Sequence, residues 1–436
     1  MKIEKQVLTR VEGEAVLHLE WDKGKIIDAK INIPNSRGIE KVLEGRPFMD
    51  ALVINPRVCG ICGHAHLIAT AIALEKVLGI ESISTKAKIV RSVTQLTEMV
   101  QNHIKWFYFF VMPDFVKINE NLNEYKPFKG AQWKKAVSIS SEIVKVIALF
   151  AGQWPHSSYA IPGGITSTFG EREVFRAKNY IKKTKDFFLK EVVGIDGEEF
   201  LKLRKKGNFE DLKGDFGRFV ELVYENAMHN IGKAYNRFLS GGGLYLCLKP
   251  SYKKGKGRRC KFNVEEVKEL NPPDYTKARP VRYKGLPYET GPLARQLLHK
   301  NPFVKELYSL YEDSYLTRVS ARVLEIWEIL SLIEKLLEKL MEHLDEKSCE
   351  GEINKQVSGK GVSFIEAARG TLIHKVVVEK GKIMKYEIIT PSQWNLGPRC
   401  NKYLGVAEKA IIGLDSKLKA EMVLRSFDLC SVCTTH

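Results

Sequence analysis

The chain has 436 residues, with 69 lysines and arginines against 52 aspartates and glutamates, a formal net charge of +17. Hydrophobic residues make up 44% and charged residues 28%, with a mean hydropathy of −0.21; this suits a globular protein with a sizeable core and excludes a disordered chain or a string of membrane spans. The positive balance favours acidic partners, but the basic residues are scattered rather than interleaved with aromatics, which argues against nucleic acid.

Taken in chain order, residues 14–32 predict a β-hairpin turning at Asp22-Lys23-Gly24-Lys25. From Leu67 the apolar period becomes helical and stops at Gly79. Helices are expected at 86–111, 132–151, 171–192 and 216–239. The stretch 249–280, with Lys253, Lys254, Lys256, Arg258 and Arg259, predicts a solvated basic surface loop. A very long helix over 303–345 follows, then a hairpin at 373–389 and a last helix near 403–423. The expected architecture is α+β: one mainly helical domain over 1–436, built on a long-helix bundle with small antiparallel β pieces near both ends. There is no signal-peptide pattern at the N-terminus and no apolar run of membrane-spanning length, so a cytoplasmic chain without a direct membrane span is expected.

Eight cysteines are too few for a disulfide framework in a chain of this size. Cys247, Cys260, Cys349 and Cys400 are isolated and read as ordinary thiols. The other four form two pairs at opposite ends, Cys59-Gly60-Ile61-Cys62, followed by His66, and Cys430-Ser431-Val432-Cys433, followed by His436. Thiolates hold nickel, iron, copper(I), zinc or iron–sulfur clusters. A structural zinc knuckle keeps its ligand pairs close in sequence, and a [4Fe–4S] cluster also has tighter spacing, so a site built from both chain ends favours neither.

The pattern Arg57-x-Cys59-Gly60-x-Cys62-x-x-x-His66, paired with Asp428-x-Cys430-x-x-Cys433-x-x-His436, resembles the two signatures of the nickel–iron hydrogenase large subunit. Further blocks match the family in family order: Arg10-Val11-Glu12-Gly13, Arg37-Gly38-Ile39-Glu40, Pro162-Gly163-Gly164, Glu289-x-Gly291-Pro292-Leu293-Ala294-Arg295, Ala368-Arg369-Gly370 and Pro391-Ser392-x-Trp394-Asn395. The resemblance implies a nickel ion held by four thiolates, Cys59 and Cys430 as terminal ligands and Cys62 and Cys433 as bridges to an iron that carries carbon monoxide and cyanide. It implies Glu12 as proton carrier, because heterolytic cleavage of dihydrogen releases a proton that needs a base. Arg369 is placed over the metals, where its guanidinium stays charged when buried. His66 is the expected hydrogen-bond donor to Cys62, Ser392 a donor to a cyanide, and Asp428 a supporting residue at the site. Glu40, the Ile388 carbonyl and His436 match the ligands of a magnesium ion, a metal assigned as iron in some relatives.

The resemblance also implies an iron–sulfur small subunit, because no further cysteine cluster is available to conduct electrons. Any flavin, quinone or nicotinamide site would belong to other partners, since no Gly-x-Gly-x-x-Gly follows a strand. Family precursors carry an extension that is removed after the final histidine, so a chain ending on His436 corresponds to the matured form. A periplasmic location is the alternative to a cytoplasmic one, with export directed by the small subunit. Two departures are visible: Leu429 replaces a proline, and Asn102 stands where some relatives are acidic, which would make the surroundings of Arg369 more positive. Competing readings are a hydrogen-sensing regulatory protein with little turnover, a non-catalytic metal-binding scaffold such as a structural zinc protein, and a quinone-site subunit of the respiratory complex I type. The four cysteines argue against the last.

Overall fold

Alternating apolar residues build the N-terminal hairpin from β2 (Val16–Asp22) and β3 (Lys25–Asn32), with β1 (Lys2–Val7) added antiparallel on the outer edge of β2. Its turn is Lys23-Gly24, both at positive φ, the mirror-image turn whose twist suits a two-residue hairpin. The computed structural model describes residues 2–206, 208–242, 249–351 and 353–436. Cys247 lies outside the described residues.

The second expected hairpin is likewise one strand larger. β4 (Gly359–Ala367), β5 (Gly370–Glu379) and β6 (Lys382–Ile389) form an antiparallel sheet with β5 at its centre. In it His374 stands opposite Ser363 on one side and Ile388 on the other. Helix α1 (Gly63–Val77) lies across β4 and β5 and is buried along almost its whole length.

The helical core centres on α2 (Thr85–Trp106), which packs along α3 (Tyr315–Leu340). Both begin on a serine cap: Ser84 Oγ accepts from the Ala87 N–H and Ser314 Oγ from the Thr317 N–H. These elements share one large apolar core, and a smaller cluster gathers Leu239, Phe262, Tyr283, Tyr288 and Trp394. The mainly helical α+β class is as expected.

Several long helices are shorter than the apolar period predicts. The 303–345 stretch divides into Pro302–Tyr311 and α3, because Glu312 has a φ of 54° and Ser314 caps the start of α3. The Asp313 carboxylate accepts from the backbone N–H groups of Ala234 and Asn236. The expected helix at 216–239 ends at Glu225, after which Ala227 and Gly232 take positive φ and Arg237–Ser240 is a strand. The 132–151 stretch divides into Ala131–Ile143 and Lys145–Ala151, and the last helix into Val406–Ala410 and Lys417–Ser426. Helices at 86–111 and 171–192 each pass into a π turn, Phe107–Val111 and Phe188–Val193. At the breaks, apolar periodicity continued across a point where the helix itself stops.

The 249–280 segment is exposed over much of its length, but it is not a plain loop. Ser251–Lys254 pairs with Arg237–Ser240 on one side and Cys260–Lys261 on the other, and Val267–Glu269 pairs with Val281–Tyr283. Phe262 and Val267 anchor it in the smaller core. Among the described residues, no helix is long and apolar enough to cross a membrane.

Candidate metal centre

The two chain ends meet through backbone. Glu12 and Cys430 form a parallel bridge, and Glu12 O accepts from both the N–H and the Oγ of Ser431, each at 2.9 Å. Gly13 is required for this approach: its φ is +85°, and a Cβ there would lie 2.3 Å from Ser431 Oγ. The Arg37 guanidinium then ties both cysteine motifs together, donating to the carbonyls of Arg57, Val58 and Val432. Thr390 Oγ1 donates to Cys433 O at 2.6 Å and Thr435 Oγ1 to Asn35 O at 2.6 Å.

This brings four buried sulfurs together. Cys59 and Cys430 are 3.9 Å apart, Cys62 and Cys433 3.4 Å, and Cys430 and Cys433 2.9 Å. Thiolates around one tetrahedral metal at about 2.3 Å would be separated by roughly 3.8 Å, so the quartet is a ready thiolate cradle. The N–H groups of Ile61 and Cys62 point at Cys59 Sγ from 3.3 and 3.4 Å, which favours the anionic sulfur. Hydrogen bonds from Cys430, Cys433 and Cys62 hold the Cys59 thiol well below its ordinary value. Burial pushes the Cys430 thiol well up, and the hydrogen bond between Cys430 and Cys433 does the same to Cys433. A buried quartet of this kind carries four negative charges only when cations sit among the sulfurs, so the donor set fits a multiply charged, thiophilic metal centre.

Two polar groups aim into the same place. Arg369 Nη1 and Ser392 Oγ are buried with no hydrogen-bond partner among the described residues. Both line a small hollow with Cys62, His66 and Cys433. The rest of the Arg369 guanidinium is anchored, with Nε donating to Asp428 O at 3.0 Å and Nη2 paired with Asp428 Oδ1 at 3.2 Å. Burial opposes its charge, but Asp428 and the nearby sulfurs outweigh that and raise its pKa well above the ordinary value.

Asp428 also pairs with Arg322 at 2.9 Å. Asn102 Oδ1 accepts from Arg322 at 3.4 Å and not from Arg369, so the counter-charge of Arg369 is Asp428, and the substitution at 102 acts one residue further away than the sequence suggests. Behind this layer Arg295 pairs with Glu325 at 2.6 Å and with Glu366 at 2.8 Å, and Glu325 accepts from His103 at 2.9 Å. Glu289, from the same motif as Arg295, pairs with Arg318 at 2.9 Å.

Glu12 is half-buried, beside the cysteines through its backbone bridge. Burial raises its pKa, and the Cys59 charge adds to this. Its carboxyl is thus moved toward the range in which it both takes and releases a proton.

His66 has a ring nitrogen within 4.8 Å of the sulfurs of Cys62 and Cys433. His64 faces the other way, toward Tyr159 Oη at 3.2 Å. At the far end of the site Glu40 Oε1 accepts from the Ile388 N–H at 2.7 Å and lies 3.6 Å from His436 Nε2. Burial works against the Glu40 charge, yet His436, the Ile388 N–H and Arg279 hold its pKa below the usual carboxylate value. Ile388 lies on β6, an edge strand among the described residues, and in a strand the N–H and C=O of one residue leave on the same side. Glu40 and His436 open on a cleft of about 520 Å³ with Arg37, Arg279 and Gln393.

Sequence reasoning passed over several residues. His374 on β5 is fully buried, with Nε2 3.1 Å from His66 Nδ1. Glu98 on α2 accepts from the N–H groups of His64 and Ala65 at the start of α1 and from Trp154 Nε1, and burial raises its pKa to about 8. Arg322 reaches the site from α3. None belongs to a local motif; their only sequence signal is a polar residue at an inward position of an otherwise apolar face.

This chain belongs to the nickel-dependent hydrogenase family, whose profile matches residues 37–138 and 247–436. It is similar over its whole length to the large subunit of the periplasmic [NiFeSe] hydrogenase of Desulfomicrobium baculatum (27% identical, 95% of that protein covered). It is also similar over its whole length to the alpha subunit of sulfhydrogenase 2 of Pyrococcus furiosus (26% identical, 99% covered). The Ni-Fe-Se hydrogenase structure from D. vulgaris Hildenborough superposes with a TM-score of 0.84 at 25% identity, covering 100% of both chains. The chain is the large, catalytic subunit of a hydrogenase, an oxidoreductase acting on dihydrogen.

Proposed function

We propose that Cys59, Cys62, Cys430 and Cys433 hold a nickel–iron centre, with Cys59 and Cys430 on nickel alone and Cys62 and Cys433 shared with an iron bearing carbon monoxide and cyanide. The single observation that carries this reading is the convergence of four buried sulfurs from the two chain ends, two of which, Cys62 and Cys433, line a small hollow together with Arg369 and Ser392, whose Nη1 and Oγ have no hydrogen-bond partner among the described residues. Small anionic ligands would give both donors the acceptors they lack within the protein. When bound, the centre polarises dihydrogen so that it splits heterolytically.

The chain's own residues do the rest. Glu12 takes the proton on its carboxylate and passes it outward, a role supported by its half-buried place beside Cys430 and its raised pKa. Arg369 holds a fixed positive charge over the hollow, and Asp428 orients it. His66 donates to Cys62, and Ser392 to a cyanide. Apolar walls around the sulfurs, Ala367, Leu372 and Pro391 among them, exclude water. Glu40, the Ile388 carbonyl and His436 would hold magnesium, a hard cation suited to a carboxylate, a carbonyl and waters from the adjoining cleft.

The whole chain would act as one domain, delivering electrons to an iron–sulfur small subunit, since relatives carry the names large subunit and subunit alpha. The cysteines, unpaired among the described residues, support a cytoplasmic enzyme, with a periplasmic one, as the D. baculatum relative is named, the alternative. The test is metal analysis of the purified native complex with infrared spectroscopy of the carbonyl and cyanide stretches. Nickel and iron in equal amounts with one carbonyl and two cyanide bands is the expected result. Zinc alone with no such bands would overturn the reading.

A further inference from the structure

His66 and His374 form a buried pair whose protons can be placed by elimination. Their rings are tilted by 48° with centroids 5.2 Å apart, and His66 Nδ1 faces His374 Nε2 at 3.1 Å. Two N–H groups cannot share that gap and two lone pairs gain nothing from it, so one proton lies between the rings. Both rings are fully buried, where a charge would be stripped of water, so each stays neutral and carries one N–H.

The other side of His374 decides which ring donates. His374 Nδ1 is 2.9 Å from Tyr386 Oη and 3.3 Å from Thr70 Oγ1. Thr70 has already used its proton on His66 O at 2.7 Å, one helical turn back, and accepts from Asn55 Nδ2 at 2.8 Å. Tyr386 lies 3.4 Å from Thr70 but 2.9 Å from His374, so its hydroxyl donates to His374 Nδ1. The His374 proton is then on Nε2 and goes to His66 Nδ1, which leaves the His66 proton on its own Nε2.

We infer that His374, set by Tyr386, is a positioning residue that locks His66 in the tautomer with its proton on Nε2, so that His66 presents a donor to the sulfurs of Cys62 and Cys433. The chain runs Tyr386 Oη–H to His374 Nδ1 and His374 Nε2–H to His66 Nδ1, and leaves His66 Nε2–H free for the sulfurs of Cys62 and Cys433, which lie within 4.8 Å of a His66 ring nitrogen. It deepens the nickel–iron reading and rests on it for the last link only. Its chemical effect is to draw electron density from the bridging thiolates, as supporting partners of metal ligands do.

Neutron diffraction from perdeuterated crystals of the assembled enzyme tests the proton positions directly. Deuterium on Nε2 of both histidines and on Tyr386 Oη toward His374 is expected; deuterium on His66 Nδ1 overturns the inference. Infrared spectra of the loaded enzyme then test the effect on the metals. His374→Leu removes the donor to His66 and should move the carbonyl stretch to lower frequency, because a thiolate with a weaker N–H bond pushes more electron density onto iron. Activity should fall about 10- to 100-fold. His374→Gln supplies an amide N–H toward His66 and a carbonyl toward Tyr386, and should keep the band at the wild-type position. Equal bands in all three proteins, or equal shifts in both variants, overturn the positioning role. If His374→Leu fails to fold, Tyr386→Phe, which frees the His374 tautomer at nearly constant volume, takes its place with the same expected shift. Absence of carbonyl and cyanide bands from the wild type would sink the nickel–iron reading instead, while the neutron result would still decide the tautomer.

Discussion

The two sides of the cysteine quartet are built on opposite electrostatic plans. Around Cys59 and Cys430 the surroundings are ionic: Arg369, Asp428 and Arg322 are joined in one buried run, backed by Arg295, Glu325 and Glu366. On the sheet side of Cys62 and Cys433 the hydrogen-bonding groups are neutral, His66, His374, Tyr386, Thr70 and Ser392, with Glu98, its pKa raised by burial, capping the nearby helix start; Arg369 reaches over from the ionic side and lines the same hollow as Cys62 and Cys433. In the proposed function the ionic side would supply a fixed positive charge and a proton carrier, and the neutral side would offer hydrogen bonds to sulfur without adding charge. Proton handling and tuning of the metal ligands would then be separated within one site.

That contrast can be broken most severely at Glu12. Glu12→Gln keeps the backbone bridge to Cys430 and removes the base, so turnover should fall about 10²- to 10⁴-fold, while metal content and infrared bands stay at wild-type values. A variant that loses its metals would show instead that Glu12 acts in assembly.

Next comes Asp428, whose carboxylate is shared by two buried guanidinium groups. Asp428→Ala leaves Arg369 and Arg322 uncompensated and should cost about 3–5 kcal/mol of stability, read by chemical denaturation of the assembled enzyme. Ser392→Ala, on the neutral side, should move that denaturation midpoint far less.

The neutral side should show its own signature with pH. Burial raises the Glu98 pKa from 4.5 to about 8, so the stability it contributes is fully present below 4.5 and is lost as pH rises through about 8. The loss is on the order of a few kcal/mol. Glu98→Gln should flatten this alkaline slope in denaturation curves measured between pH 6 and 9 (roughly the window in which the group titrates). An unchanged slope would mean that the carboxyl is ionised in the folded protein.

The smallest effect is expected at Ser392. Ser392→Ala removes one neutral donor, worth about 0.5–1.5 kcal/mol, and should shift one cyanide band with only a severalfold change in rate.

Much of this centre is legible in the order of residues alone. Both cysteine pairs, Glu12, Arg369, Ser392, Glu40 and His436 stand in short motifs whose spacing survives in one dimension, because each motif is a local loop or helix start that aims its own side chains. The two hairpins are legible for the same reason, since strand alternation and a Lys-Gly turn are neighbour effects. The outer strands β1 and β4 and the helix breaks are not, because pairing partners and the backbone polar groups that cap a helix come from elsewhere in the chain. The break at Glu312 is held by Asp313 bonding to Ala234 and Asn236.

What the sequence by itself determined is the ligand chemistry: four thiols, their spacing and the motifs around them. Only the tertiary structure decided which groups stand behind those ligands. His374 lies 308 residues from His66, Arg322 106 from Asp428, and Glu98 34 from His64. No spacing rule reaches across such separations, whereas burial compels each of these polar groups to find a partner. The partner is chosen by whichever strand or helix the fold packs alongside, and that choice makes one side of the site ionic and the other neutral.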